Sequence, residues 1–239
     1  MTHHIPSSWL RPKKELFMGG GFNTARIQQK APFMGLVIGL MIVQLALTYY
    51  TMEALSKNVA FQDYMKANLW VLILAFILPI VIILVLALVP MSMYLKLMLF
   101  TLFSLLFGLM LSAIRTRVPP QVVKAAMIAT LGIFVSMFIV GLVMAGFGYD
   151  LFWLGVILFI LLIMLLIAGV VMLFTDPSKK ALRIRAILVI ILFAIYVLFD
   201  TNQIIMRDYN GDYVTASIDY YLDVINIFTA LLEVLSNGN

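Results

Sequence analysis

The chain has no cysteine, and its two histidines, His3 and His4, both stand beside the first methionine. The first absence excludes disulfides, zinc–thiolate sites, thiol catalysis and iron–sulfur clusters. The second excludes a buried imidazole as base, proton shuttle or metal ligand, and with it serine–histidine chemistry. Charge is scarce as well. Only 11% of the 239 residues are Asp, Glu, Lys or Arg, against about 25% in soluble domains. What is abundant is apolar: 64% of the residues are hydrophobic and the mean hydropathy is +1.10. An ordinary soluble globule and a disordered chain are both excluded. A helical crossing needs about 20 apolar residues, so the length allows about six to eight spans with short loops and leaves no room for a soluble catalytic domain. The net charge of +5 reads as loop lysine and arginine of a membrane protein, not as a nucleic-acid surface.

Residues 1–30 form a polar, basic N-terminal tail with Arg11, Lys13, Lys14, Arg26 and Lys30. A signal peptide would place its apolar run nearer the start, so the first span is expected to be retained. Gly19–Gly20–Gly21 follows no strand and reads as flexible tail, not a phosphate loop. Residues 31–239 read as a single seven-helix membrane domain. The stretches are Pro32–Met52, Leu69–Val89, Leu95–Ile114, Ala125–Phe147, Leu151–Phe174, Ala186–Met206 and Tyr213–Leu235. The expected fold is therefore an all-α integral membrane protein. With the tail inside, the loops Arg115–Lys124 and Lys179–Arg185 lie outside with seven basic residues between them, so the positive-inside rule pulls both ways. The tail is taken as inside.

Six of the stretches are plainly apolar. The seventh is not, because it holds Thr215, Ser217, Asp219, Asp223, Asn226, Thr229 and Glu233. A central Asp costs roughly 2.5–3.5 kcal/mol on the insertion scale, against about 0.3–0.6 gained per Leu or Ile. Such a segment belongs inside a bundle built by the other six, or re-enters without crossing. At about 100° per residue, Asp212, Thr215, Asp219, Asp223, Asn226 and Glu233 share one stripe. A surface helix with this stripe in water is the competing arrangement. Interfacial helices of that kind carry Lys and Arg on the polar face, and this one carries acids only. The sixth stretch repeats the theme with Asp200, Gln203 and Arg207. The turn Tyr209–Asn210–Gly211–Asp212 then reverses the chain, which brings Asp200 and Asp219 to similar depth, with Asp223 about 6 Å further in.

An acid inside a membrane is a functional-site hypothesis by default. Two neighbouring carboxyls in a low dielectric cannot both ionise cheaply, so they share a proton and titrate as a unit. Asp200, Asp219 and Asp223 also offer hard oxygen contacts to Ca²⁺. A structural carboxyl bonded to helix backbone or to Arg207 is the bland alternative for any one of them. In the third stretch Thr101, Ser104, Gly108, Ser112 and Arg115 share a side and read as a close-packing face of small residues rather than a pore lining. Gly132 and Ser136 are expected to pack in the same way. Pro79 is expected to kink the second span.

The segments Phe199-Asp200-Thr201-Asn202-Gln203-Ile204, Gly211-Asp212-Tyr213 and Ile218-Asp219-Tyr220-Tyr221-Leu222-Asp223-Val224-Ile225-Asn226-Ile227-Phe228 resemble the C-terminal signature of the Bax inhibitor-1 family, the transmembrane Bax-inhibitor-motif proteins. The resemblance implies a seven-helix bundle with a polar seventh helix at the centre of a six-helix wrap. It implies a pH-sensitive Ca²⁺ leak that needs no cofactor, with Asp200 and Asp223 as the pH-sensing and gating pair. Asp219, Asn226, Gln203 and Arg207 then form the supporting polar stripe. It further implies the endoplasmic reticulum or Golgi for a eukaryotic or viral member, with lowered store calcium and suppressed cell death, and the plasma membrane for a bacterial one. The partners would be lipid, Ca²⁺, H⁺ and death-regulating membrane proteins. Family members often carry basic residues near the end of the second span that pair with the acids. Here that region reads Leu88-Val89-Pro90-Met91-Ser92-Met93-Tyr94, and Lys96 is the near cation.

Three other readings compete. A non-conducting scaffold acting on death-regulating or calcium-handling partners fits the same fold. An intramembrane aspartyl protease also needs two aspartates on consecutive helices, but Tyr221-Leu222 stands where its Gly-Asp motif would require glycine. A secondary transporter would be expected to show an internal repeat, and none is evident.

Overall fold

The computed structural model describes residues 21–236, and all regular structure among them is helical. The helices are α1 (Thr24–Lys57), α2 (Val59–Ala67), α3 (Leu69–Leu88), α4 (Met93–Arg115), α5 (Pro120–Gly146), α6 (Phe152–Leu173), α7 (Lys179–Met206) and α8 (Tyr213–Ser236). Each of the seven apolar stretches falls on one of these helices, three of them running one residue past a helix end, and α2 is an addition. Five of them (α1, α4, α5, α6 and α7) are long and apolar enough to cross a bilayer. The chain is an integral membrane protein.

Local chemistry sets the helix ends. The side chains of Asn23, Asn58, Ser92 and Ser178 accept from the backbone N–H three residues on, which satisfies donors that have no partner within the helix. Pro120 opens α5, where its missing N–H is not needed. Asn210 (φ 51°) and Gly211 (φ 77°) adopt left-handed backbone in the turn joining α7 to α8, which suits these two residue types. Helix α1 starts at Thr24, inside the segment read as tail, and α3 continues through Pro79. Most of the tail, with Gly19 and Gly20, lies outside the described residues.

Helix α8 packs against α1, α4, α5 and α7, whereas α6 packs on α7 and α3 on α4. Two glycines let helices approach closely. A Cβ on Gly108 would stand 2.6 Å from the Thr48 carbonyl oxygen at the α1–α4 contact, and one on Gly141 would stand 2.6 Å from the Leu198 carbonyl oxygen at the α5–α7 contact. The small-residue side of α4 is thus a packing seam. Thr101 accepts from Gln44 Nε2 (3.1 Å), the Ser104 carbonyl accepts from the Thr48 hydroxyl (3.1 Å), Ser112 accepts from Gln62 Nε2 (3.2 Å) and Arg115 pairs with Glu53 (2.6 Å). Gly132 and Ser136 do not pack in this way. Both are exposed, and the Ser136 hydroxyl donates to the Gly132 carbonyl of its own helix (2.7 Å), so it needs no neighbour.

Candidate functional site

Two adjacent tyrosines fix α8 in place. Tyr220 and Tyr221 are each 0% exposed. The Tyr221 hydroxyl lies 2.6 Å from that of Thr48 on α1, and its ring meets Phe100 and Phe103 of α4 edge-on. The Tyr220 hydroxyl lies 2.7 Å from that of Thr201 on α7, and its ring meets Phe134 and Phe138 of α5. Consecutive residues on a helix point about 100° apart, so one dipeptide holds two flanks at once. Ser217 donates to the Val37 carbonyl of α1 (3.0 Å) and adds a third tie.

This seating brings Asp200 of α7 and Asp223 of α8 face to face, with Asp219 close to both. Asp200 is 8% exposed and Asp223 3%. Asp223 Oδ2 is buried with no hydrogen-bond partner. A buried oxygen of this kind normally costs free energy unless something reaches it. Tyr196, Tyr209 and Tyr220 are the other titratable groups near the pair. Asp219 is half-buried. Among the described residues no three acids or histidines form a group able to hold a metal ion.

The rest of the expected stripe divides. Gln203 is buried and donates to Asn202 Oδ1 (3.2 Å). Asn226 is half-buried and donates to the Leu222 carbonyl of its own helix (2.7 Å). Arg207 does not join the acids. The helix ends at Met206, so Arg207 has extended backbone (φ −116°, ψ 166°), is exposed, and stacks its guanidinium 3.8 Å from the centre of the Phe152 ring. Its carbonyl accepts from Lys30 Nζ (2.6 Å). Lys96 stays away from the deep pair and binds Asp212 and the Thr215 hydroxyl. Burial raises the Asp212 carboxyl, but the hydrogen bonds from Lys96 and from the Thr215 N–H and hydroxyl outweigh it and hold Asp212 below its usual value.

Two site-supporting groups escaped the sequence reading. Asn202 is 0% exposed, accepts from the Leu151 N–H (3.1 Å) and donates to the Tyr149 carbonyl (2.7 Å). It clamps the α5–α6 connection onto α7 two residues from Asp200, and an amide in an apolar span was the available signal. Arg185 pairs with Glu233 at 2.6 Å, and nothing in the spacing linked residues so far apart.

Residues 31–239 match the family described as inhibitor of apoptosis-promoting Bax1. A BI1-like protein of Arabidopsis thaliana is 25% identical over 219 residues, 92% of this chain and 86% of that one. Bax inhibitor 1 of Schizosaccharomyces pombe is 27% identical over 207 residues, 85% of this chain and 75% of that one. Protein LIFEGUARD 1 of Arabidopsis thaliana is 38% identical over 90 residues, 38% of each chain. With the match running from the first third of α1 past the end of α8, and with the buried aspartates inside it, the chain belongs to the Bax inhibitor family.

Proposed function

We propose that the protein is a pH-sensitive Ca²⁺ leak pathway, not an enzyme, that crosses the membrane seven times with α8 at the centre. On this reading Asp200 and Asp223 share a proton and hold α7 and α8 together, and a change in their protonation shifts a closed–open balance. The observation that carries the proposal is the pair of buried carboxyls in contact, Asp200 on α7 and Asp223 on α8, with one Asp223 oxygen left without a hydrogen-bond partner. The family description and the name Bax inhibitor 1 support a second layer, restraint of cell death, and on this reading the leak exerts it by lowering stored calcium.

The test is Ca²⁺ flux into liposomes that hold only the purified protein, across about pH 5–8. Flux that depends on pH in the wild type and loses that dependence in Asp200→Asn or Asp223→Asn is the expected result. Absence of flux at every pH in folded protein moves the role to a scaffold for other membrane proteins. Flux with unchanged pH dependence in both variants makes these acids structural.

A further inference from the structure

Two ion pairs bracket α8. Asp212, which caps its start, pairs with Lys96 of α4, and Glu233, in its last turn, pairs with Arg185 of α7. Residues 212 and 233 stand about 31 Å apart along a helix axis at about 1.5 Å per residue. That matches the hydrocarbon core of a bilayer, about 30 Å. Asp223 lies half-way between them. With α8 crossing as proposed above, the buried acids sit at the midplane and each ion pair sits at one membrane face.

The two ends differ. At the first, Lys96, the Thr215 hydroxyl and the Thr215 N–H saturate Asp212. At the second, a cavity of about 440 Å³ lies among α4, α6, α7 and α8. Its polar wall is Arg185, Asn226, Thr229, Glu233 and Ser236, and its apolar wall includes Leu162 and Phe193. A water occupies about 30 Å³ of liquid, so this volume holds on the order of ten. Asn226 gives one of its two amide hydrogens, and Thr229 its hydroxyl hydrogen, to carbonyls of their own helix, which leaves the oxygens of these two lining residues as acceptors. Asn226 is three residues from Asp223, about 4.5 Å of helix. The polar residues of α8 that line the cavity therefore span Ser236 to Asn226, one helical turn short of Asp223 with its unpartnered oxygen.

We infer that this cavity is a hydrated cation vestibule and that Arg185 is its tethered plug. The guanidinium holds the Glu233 carboxylate that an entering cation would otherwise meet. The plugging role rests on the permeation reading, whereas the hydration of the cavity does not. Removing the Arg185 charge frees Glu233 and turns the vestibule from neutral to anionic, which favours cation entry.

Because the chain has no cysteine, a single introduced thiol reports without background. Thr229→Cys is reconstituted in liposomes and exposed to a cationic, membrane-impermeant thiosulfonate. Met164→Cys, on the exposed side of α6 (59%), is the control in lipid. Thr229→Cys is expected to react and Met164→Cys to stay unmodified. Adding Arg185→Gln raises the Thr229→Cys rate with this cation roughly tenfold, the lower end of what a cleft of opposite charge adds to an on-rate, and Arg185→Lys restores the slow rate. In the cysteine-free protein, Arg185→Gln raises Ca²⁺ leak by a similar factor. A Thr229→Cys protein with native elution that is as inert as Met164→Cys, with or without Arg185, overturns the inference even if pH-dependent flux survives. A rate indifferent to Arg185 overturns the plug. Reactive Thr229→Cys without Ca²⁺ flux in any variant supports the hydrated cavity and overturns the permeation reading.

Discussion

Helices α6 and α8 are opposites in both composition and place. Helix α6 has the highest mean hydropathy of the candidate spans, 3.3, and almost none of its most apolar stretch is buried. Helix α8 carries three acids and buries half of its residues, among them Asp223. In water the apolar helix would be the inner one. In a bilayer the solvent is itself apolar, so apolar surface gains little by leaving it, and polar groups are what must be enclosed. The interior of this protein accordingly encloses hydroxyls, amides and carboxyls within a largely apolar core, with aromatic rings packed around them.

Four substitutions probe that contrast, from the largest effect to the smallest. Ile160→Asp puts an acid on the exposed side of α6 and should lower insertion by about 2.5–3.5 kcal/mol, measured by glycosylation mapping of the span. Gly141→Val should cost about 1–3 kcal/mol, because its Cβ enters the space of the Leu198 carbonyl and Thr201. A fall in detergent melting temperature checks it. Tyr221→Phe leaves Thr48 without its hydroxyl partner and should cost about 1 kcal/mol in the same assay. Ile167→Leu, also on the exposed side of α6, should stay within about 0.5 kcal/mol.

Asp212 sharpens the comparison through pH. Its carboxyl is held below the usual 3.8 in the folded protein. Its contribution is therefore fully present above that value and is lost as pH falls through the lower, folded value. Melting temperature should drop on acidification below about pH 4, and Asp212→Asn should remove that part of the drop.

The contrast also separates what was legible in the sequence from what was not. Apolar runs are set by membrane thickness, so the seven stretches could be read directly. Helix α2 was missed because its nine residues, with Gln62, Asp63 and Lys66, carry no such run. The aspartates stood out because acids in apolar surroundings demand an explanation. Arg207 was placed on their stripe by extending 100° per residue past the end of the helix, and one residue of extended backbone turned it to Phe152. Gly132 and Ser136 looked like Gly108 and Ser104, and only the neighbours distinguish a seam from a lipid-facing side. The pairs Thr48–Tyr221, Lys96–Asp212 and Arg185–Glu233 join residues 173, 116 and 48 apart. No periodicity carries such information.

The paired tyrosines set an order of events. The hydroxyls of Thr48 and Thr201 meet their phenol partners on α8, which is made after both of their helices. At about 5–20 residues per second of synthesis, α1 waits many seconds beside its eventual neighbours before Tyr221 arrives. During that interval the half-built bundle presents unmatched polar groups to lipid, the mark by which a cell could recognise an orphaned chain. A stop codon anywhere before Tyr220 would make that interval permanent, so truncation should lead to disposal of the product and not to a smaller working protein.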